Sequence, residues 1–406
     1  MKKRIYKILT ILVVLTIFLF NVFKVYAAEE LSINAKSALL IEKNTGKIIY
    51  EKNINEKNYP ASTTKILTAI LTLENCNLDD VVTVSSNAIS SIPTEYVITP
   101  LYVDEQIKVK DLLYALMLKS SNDAAYVLAE HVGGSIDGFS EMMNNKAQEI
   151  GCKNSHFVNP NGIDNPDHYT TAYDMYLIAN YAMKNEKFVE IVSTYEYTLP
   201  ATNKHPSNDR IMKNTNNFIN PNSEYYNKNV KGIKTGTTNK AGNCLITESE
   251  DNNLGFITVV LGAETSNDKF SETRKMIEYA FNNYTLTELH KKGDIIDDIE
   301  IQNATEETKN LNLVISDDIT VLNNIETKVD EIKPEIVLNG SIIAPIHKGQ
   351  EIGVVKYNVD GIEYTAKLLA ENDVMIKIHY SETIIGVVTF IGIVIVLAII
   401  RKKIKR

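Results

Sequence analysis

The spacing of apolar residues changes near Gly293, and that change constrains the fold more than any other feature of the chain. Up to that point apolar residues recur at helical spacing in several stretches; beyond it, as far as Tyr380, they alternate in short runs. A period of 3.6 buries one stripe of a helix and a period of two buries one face of a strand, so the two parts need different architectures. A helix-rich body followed by a small all-β domain is the expectation. Within the body, residues 38–42 and 47–51 flank a turn at Lys43-Asn44-Thr45-Gly46 and read as a β-hairpin. A helix is expected to start at Pro60-Ala61-Ser62 and run through Leu73. Others are expected across 109–132 (with a polar break at 119–123), 139–150, 171–183 and 269–281. Residues 80–84, 243–247 and 256–262 read as strands, whereas 85–107 shows no clear period. A hairpin first, helices next and strands late describe helices packed around an antiparallel sheet. In the second part, Asp360-Gly361 supplies the turn of a hairpin over 357–364.

Both ends carry apolar blocks. Residues 1–27 have a basic start (Lys2, Lys3, Arg4, Lys7), an apolar stretch over 8–20 and a small-residue end at Val25-Tyr26-Ala27-Ala28, the layout of a secretory signal peptide cleaved after Ala27. Residues 384–400 are apolar on every face apart from Thr389, and a basic tail at 401–406 follows. Seventeen residues is the lower edge of a bilayer span, and the bases predict a cytoplasmic C-terminus with the body outside. The expected organisation is a signal peptide at 1–27, a helix-rich body at 28–290, an all-β domain at 293–380, a transmembrane anchor at 384–400 and a cytoplasmic tail at 401–406. The leader and the tail each hold five bases and no acid, so removing both takes the formal net charge from −9 to −19. So acidic a body excludes a nucleic-acid partner, which needs a basic footprint. Three cysteines cannot all pair within one chain, and the seven histidines form no H-x-x-x-H spacing, so neither a disulfide framework nor a zinc site is expected.

The chemistry begins at Ser62-Thr63-Thr64-Lys65. Residues three apart on a helix share a face, so the lysine amine can reach the serine hydroxyl and activate it where no histidine serves as base. Taken alone, the same four residues could be a helix cap beside a solvated lysine, and a short motif of this kind arises by chance. Two later stretches bear on the choice. Ser120-Ser121-Asn122 interrupts an apolar helical pattern with turn or cap chemistry, and Lys234-Thr235-Gly236 precedes the late strands.

These three motifs, in this order, resemble those of the D-alanyl-D-alanine carboxypeptidases, the low-molecular-mass penicillin-binding proteins of peptidase family S11. The resemblance extends to Phe157-Val158-Asn159-Pro160-Asn161-Gly162, to His168-Tyr169-Thr170-Thr171-Ala172-Tyr173-Asp174-Met175, to Val259-Val260-Leu261-Gly262-Ala263 and, in the second domain, to Ala344-Pro345-Ile346-His347-Lys348-Gly349. It implies an α/β (α+β) transpeptidase-like domain of the penicillin-binding-protein and β-lactamase type, with an antiparallel sheet flanked by helices. Ser62 would be the acyl-ester nucleophile, Lys65 its base, Ser120 a proton relay and Asn122 an orienting residue. Lys234, Thr235, Gly236 and Thr237 would bind substrate, the backbone N–H groups of Ser62 and Thr237 forming the oxyanion hole. The implied partners are peptidoglycan stem peptides ending in D-Ala-D-Ala, β-lactam antibiotics and the cytoplasmic membrane; no cofactor and no metal are expected.

The chain departs from the family pattern at Val230-Lys231-Gly232, where an acid often stands, at Thr237-Thr238-Asn239, where a bulkier residue and an acid are frequent, and at Lys269, where arginine is common. Three other readings share the motifs: a β-lactamase, with Asp164 or Asp167 as the candidate deacylating carboxylate; a DD-endopeptidase; and a non-catalytic peptidoglycan-binding protein, against which the full set of motif residues argues.

Overall fold

The structure is a computed structural model and describes residues 31–93, 96, 99–378 and 382–404, without the side chains of 382–385. The expected signal peptide and the last two residues of the basic tail lie outside the described residues. The chain divides into two compact units, Met1–Ala280 and Phe281–Arg406.

The first unit is built on a five-stranded antiparallel sheet. Strands β1 (Ser37–Glu42) and β2 (Ile48–Lys52) form the expected hairpin at one edge. Two minor hairpins stand apart from the sheet: β3 (Val81–Thr83) with β4 (Gln106–Lys108), and β5 (Glu196–Leu199) with β6 (Arg210–Lys213). Strands β7 (Lys234–Thr238), β8 (Gly242–Asp251) and β9 (Leu254–Ala263) complete the sheet in the order β2-β1-β9-β8-β7. β1 and β9 are buried almost throughout, and the helix Ala172–Ala182 packs against both. β7 is therefore an edge strand: one side pairs with β8, Gly236 opposite Cys244, and the other side is left for the catalytic cleft.

The helices explain where that cleft lies. α1 (Lys65–Asn75) is buried along its first eight residues, Lys65 through Thr72, and runs through the middle of the helical layer. Around it pack α3 (Asn122–Gly133), α4 (Ile136–Ile150), α5 (Ala172–Ala182) and α6 (Glu186–Val192). The helical stretch over 109–132 is interrupted within the polar residues 119–123, as expected. α2 (Val109–Tyr114) passes into a π-helical turn, Ala115–Lys119, and Ser120 takes a left-handed conformation (φ 63°) before α3 begins. α7 (Ser266–Asn283) closes the domain, its Glu272 carboxylate accepting the backbone N–H groups of Asn34 (2.7 Å) and Ala35 (3.1 Å) ahead of β1.

Among its described residues the second unit is all-β apart from the C-terminal helix and one short 3-10 turn. β10 (Tyr284–His290) pairs with β13 (Ile319–Asn324), while β11 (Ile295–Glu300), β12 (Asn310–Ile315), β14 (Glu335–Leu338), β15 (Glu351–Val359) and β16 (Ile362–Ala370) form a sheet in the order β11-β12-β16-β15-β14. Alternate residues turn inward, among them Leu311, Leu313, Val355, Tyr357 and Leu368, as the alternating sequence requires. Asp360 and Gly361 both have positive φ (49° and 84°), which a two-residue hairpin turn of the expected kind demands. The chain ends in α8 (Glu382–Ile404). Among the described residues, no helix is long and apolar enough to cross a membrane.

Candidate active site

The nucleophile turn forms differently from the expected helix start. Ala61–Thr64 is a 3-10 turn, braced by Thr63, whose N–H (3.3 Å) and hydroxyl (2.6 Å) both donate to the Pro60 carbonyl. Residues three apart eclipse in a 3-10 turn, so Ser62 and Lys65 align more closely than they would on an α-helix. Lys65 is wholly buried, and its amine contacts Ser62 Oγ at 2.8 Å, Asn122 Oδ1 at 2.8 Å and the Asn161 carbonyl at 3.0 Å.

Those three contacts orient the amine. Asn122 Oδ1 and the Asn161 carbonyl can only accept, and Asn122 is held in that sense because its amide donates to the Tyr96 carbonyl while Asn161 Nδ2 donates to Oδ1 at 3.2 Å. In the neutral amine both hydrogens go to these acceptors, and the lone pair is left facing the Ser62 hydroxyl. Burial, reinforced by the charge of Lys234, holds Lys65 well below the ordinary lysine range. Lys234 is buried too; burial and then the charge of Lys269 bring its amine down to about 7. Asp123, next to Asn122, is pushed up to about 6, chiefly by burial.

β7 supplies the facing wall. A Cβ added to Gly236 would lie 2.9 Å from Ser62 N and 3.0 Å from Ala61 Cβ, so glycine lets the strand run hard against the nucleophile turn. The Thr235 and Thr215 hydroxyls are 2.6 Å apart, and Lys269 Nζ, from α7, donates to Thr237 Oγ1 at 3.4 Å. The cleft between these walls has a volume of about 460 Å³ and is lined by Ser62, Ser120, Asn122, Thr235, Gly236 and Thr237, together with Tyr96, Lys119, Asn161, Thr215 and Lys269. Lys65 and Lys234 stand behind its walls. All eight residues singled out in the sequence thus belong to one site.

Sequence reasoning gave no role to Asn161, whose carbonyl is the third partner of Lys65, although it lies in a stretch that carries the family resemblance. It also missed Thr215 and Tyr96, which no motif marks. Asp164 turns away from the nucleophile: its carboxylate accepts the Thr238 hydroxyl at 2.7 Å and the Lys240 N–H at 3.4 Å, clasping the loop to the end of β7. Among the described residues no cluster of His, Cys, Asp and Glu could hold a metal ion.

Comparison with known proteins matches this architecture. The family model for D-alanyl-D-alanine carboxypeptidase matches residues 24–265, and that for the C-terminal domain of penicillin-binding protein 5 matches residues 284–375. The chain is 34% identical over 368 residues to D-alanyl-D-alanine carboxypeptidase DacF of Bacillus subtilis, covering 89% of each protein. Among solved structures it is similar to penicillin-binding protein 5 from Haemophilus influenzae, with TM-score 0.66, 29% identity, and 85% of this chain and 98% of that one covered. It also resembles the Streptomyces K15 DD-transpeptidase, with TM-score 0.58 and 31% identity over 62% of this chain and 98% of that one.

Proposed function

The chain belongs to the D-alanyl-D-alanine carboxypeptidase family of serine peptidases, and from that premise we propose how its residues divide the reaction. It is a serine-type carboxypeptidase of cell-wall peptidoglycan that removes the terminal D-alanine of stem peptides through an acyl-enzyme. The observation that carries the assignment of roles is the buried Lys65 amine, 2.8 Å from Ser62 Oγ and held by two groups that can only accept, Asn122 Oδ1 and the Asn161 carbonyl.

As Ser62 Oγ attacks the carbonyl carbon of the terminal peptide bond, its proton passes to Lys65. The negative charge that develops on the carbonyl oxygen is taken up by the backbone N–H groups of Ser62 and Thr237, donors of the kind whose single loss costs roughly 10²–10³ in rate. When the tetrahedral adduct collapses, the C–N bond breaks and the leaving amine takes a proton delivered from Lys65 through Ser120. Asn122 orients Lys65 and the substrate amide. Lys234, Thr235, Thr237 and Lys269 receive the terminal carboxylate, and Gly236 allows the close approach of the two walls. Water then attacks the acyl-ester, with Lys65 as base again, and restores Ser62. A β-lactam would acylate Ser62 by the same route and leave slowly.

We propose that the peptidase domain runs from residue 28 to the end of the first unit; the expected boundary at 290–293 moves back to 280–281, because β10 (Tyr284–His290) pairs with β13 of the all-β domain. The export and anchoring reading is supported by the sequence of the two ends: a leader at 1–27, the apolar run at 384–400 and the bases at 401–406, which would leave the C-terminus cytoplasmic. Retention of the protein in the membrane fraction at alkaline pH, abolished by deletion of residues 384–406, tests it. The β-lactamase reading needs a free carboxylate near the acyl-serine, and the engagement of Asp164 with Thr238 and Lys240 counts against it. Cleavage of cross-linked dimers would use the same acyl-enzyme. The deciding experiment incubates the protein with a pentapeptide ending in D-Ala-D-Ala and measures free D-alanine. Wild type releases it and forms a stable penicillin adduct, whereas Ser62→Ala does neither. Equal release by both proteins would overturn the assignment.

A further inference from the structure

His168 takes no part in the chemistry above, yet it is almost wholly buried (1% exposed) directly behind it. Its two ring nitrogens make two different contacts. Nδ1 lies 3.1 Å from the backbone N of Val158, which can only donate, so Nδ1 carries no proton. The hydrogen of the neutral ring is then on Nε2, where it is donated to Thr64 Oγ1 at 2.9 Å. The ring edge packs against Phe157, with centroids 5.5 Å apart and planes at 84°. Burial, with His156 adding to it, lowers the imidazole to about 3, so the ring stays neutral at any pH at which the enzyme would work.

Both contacts end next to the catalytic lysine. Thr64 is the last residue of the nucleophile turn and precedes Lys65. Val158 lies three residues before Asn161, whose carbonyl receives the Lys65 amine. Between these points the loop is braced internally, by Gly162 N donating to Asn159 Oδ1 (2.7 Å) and Asn159 Nδ2 to the Ile163 carbonyl (2.9 Å), and is tied to α1 by the Thr68 hydroxyl on the Pro160 carbonyl (2.6 Å). It also lies tight against the turn. A Cβ on Gly162, which has φ +85°, would fall 1.8 Å from the Ala61 carbonyl oxygen and 2.9 Å from Thr64 Oγ1. A small change in the distance between loop and turn therefore moves the Asn161 carbonyl relative to Ser62.

We propose that His168 is a positioning residue for Lys65: by donating to Thr64 and accepting from Val158, it fixes the spacing between the nucleophile turn and the loop that carries Asn161, and hence the direction of the amine. The inference rests on the reading of Lys65 as the base. It makes His168 act on acylation and not on recognition of the terminal carboxylate, since neither contact reaches Thr235, Thr237 or Lys269.

The test replaces His168 with phenylalanine, which keeps a ring against Phe157 and removes both hydrogen bonds. Turnover is expressed per active site able to bind labelled penicillin, so that any loss of folded protein cancels. His168→Phe is expected to lower kcat by about 10- to 100-fold, the scale of a small misplacement of a reacting group, with KM unchanged. The limb of the kcat–pH profile set by Lys65 should move to higher pH, because a loosened loop admits water and relieves the burial that depresses that amine. His168→Gln, whose amide N–H can reach Thr64, is expected to recover part of the rate. Should His168→Phe fail to fold, Thr64→Val removes only the Nε2 contact at nearly constant volume and is expected to move the same limb. Unchanged kcat per labelled site and an unmoved limb in the folding variant, with only a lower melting temperature, would reduce His168 to a core residue. Failure of the base assignment itself is distinguished by wild type, which would then show no limb that responds to Lys65→Met.

Discussion

The two units bury polar groups in opposite ways. In the second unit Ser316 and Asn323 are the buried polar side chains among the described residues, and the core consists otherwise of aliphatic residues and Tyr357. The first unit buries Lys65, Lys234, Lys269, Asp123, His168, Glu105 and Arg210, among others. Some of these are paired, as Arg210 is with Glu105 at 2.6 Å. Lys65, Lys234 and Lys269 are not: burial depresses all three, and among the described residues none of them has a carboxylate within ion-pair distance. Desolvating unpaired cations costs stability, which an apolar residue would not. One unit is packed for stability alone, while the other gives up stability where a neutral amine and a carboxylate receptor are needed.

The largest effect expected from that contrast comes from a single methyl group. Gly236→Ala would set a Cβ 2.9 Å from Ser62 N and 3.2 Å from Thr63 N, backbone atoms that cannot turn aside. β7 must then draw back from the nucleophile turn, which separates the two N–H groups proposed to form the oxyanion hole. Because β7 keeps its pairing with β8 on the other side, the fold should survive. Acylation by a β-lactam is expected to fall by roughly 10²–10³ in a stopped-flow measurement. A change of less than threefold would mean that the strand has slack and that the close approach is not needed.

Lys234→Met sharpens the comparison, because activity and stability should move in opposite directions. Lys234 is brought from an ordinary 10.5 to about 7 by burial and by Lys269. A base depressed in the folded state binds fewer protons there than in the unfolded chain between those two values, so wild-type stability is lowest below pH 7 and rises towards pH 10.5. Removing the amine removes that slope, and at pH 6 the variant should be the more stable, by about 1–4 kcal/mol. In the free enzyme, loss of the Lys234 proton above about pH 7 weakens its attraction for the terminal carboxylate, while Lys65 must lose its own proton to act. The kcat/KM profile should therefore be bell-shaped, and Lys234→Met should abolish the falling limb and lower the plateau by about tenfold, the value of one charge-assisted hydrogen bond. A destabilised variant at pH 6 would show that the buried amine is paid for locally, by contacts that the contrast overlooks.

How far this was legible in the sequence depended on what kind of group does the work. The side chains Ser62, Lys65, Ser120, Asn122, Lys234 and Thr235 carry their chemistry in their identity: helical spacing paired Ser62 with Lys65, and the family resemblance pointed to the others. The carbonyls of Asn161 and Tyr96 could not, since every residue has one and only the fold decides which is aimed at the site. The 3-10 turn under Ser62 was read as the start of an ordinary helix because tertiary packing, not local propensity, selects that conformation, whereas the break at Ser120 was expected from its polar neighbours and only its left-handed form was not. The hairpin of β5 and β6 and helix α6 went unnoticed, being short and only partly apolar. In the second unit, where strict alternation and an Asp-Gly turn coincide, the β-hairpin of 357–364 appeared where it was expected.

The smallest effect on catalysis is expected from the second unit, and there the contrast is most exposed to failure. Leu313 is fully buried in β12 and shares its core with Val355, Tyr357 and Leu368. Leu313→Ala deletes three carbons from that core and should destabilise the second unit by about 2–5 kcal/mol, more than most surface changes could. None of the residues assigned to the reaction lies beyond Lys269, so D-alanine release per penicillin-labelled site on a soluble pentapeptide should equal wild type. Calorimetry should show one of two thermal transitions falling and the other, which tracks penicillin binding, unmoved. A matching fall in turnover, or a single transition that shifts as a whole, would show that the apolar unit is energetically part of the catalytic one, and that a core without buried charge can still set the rate.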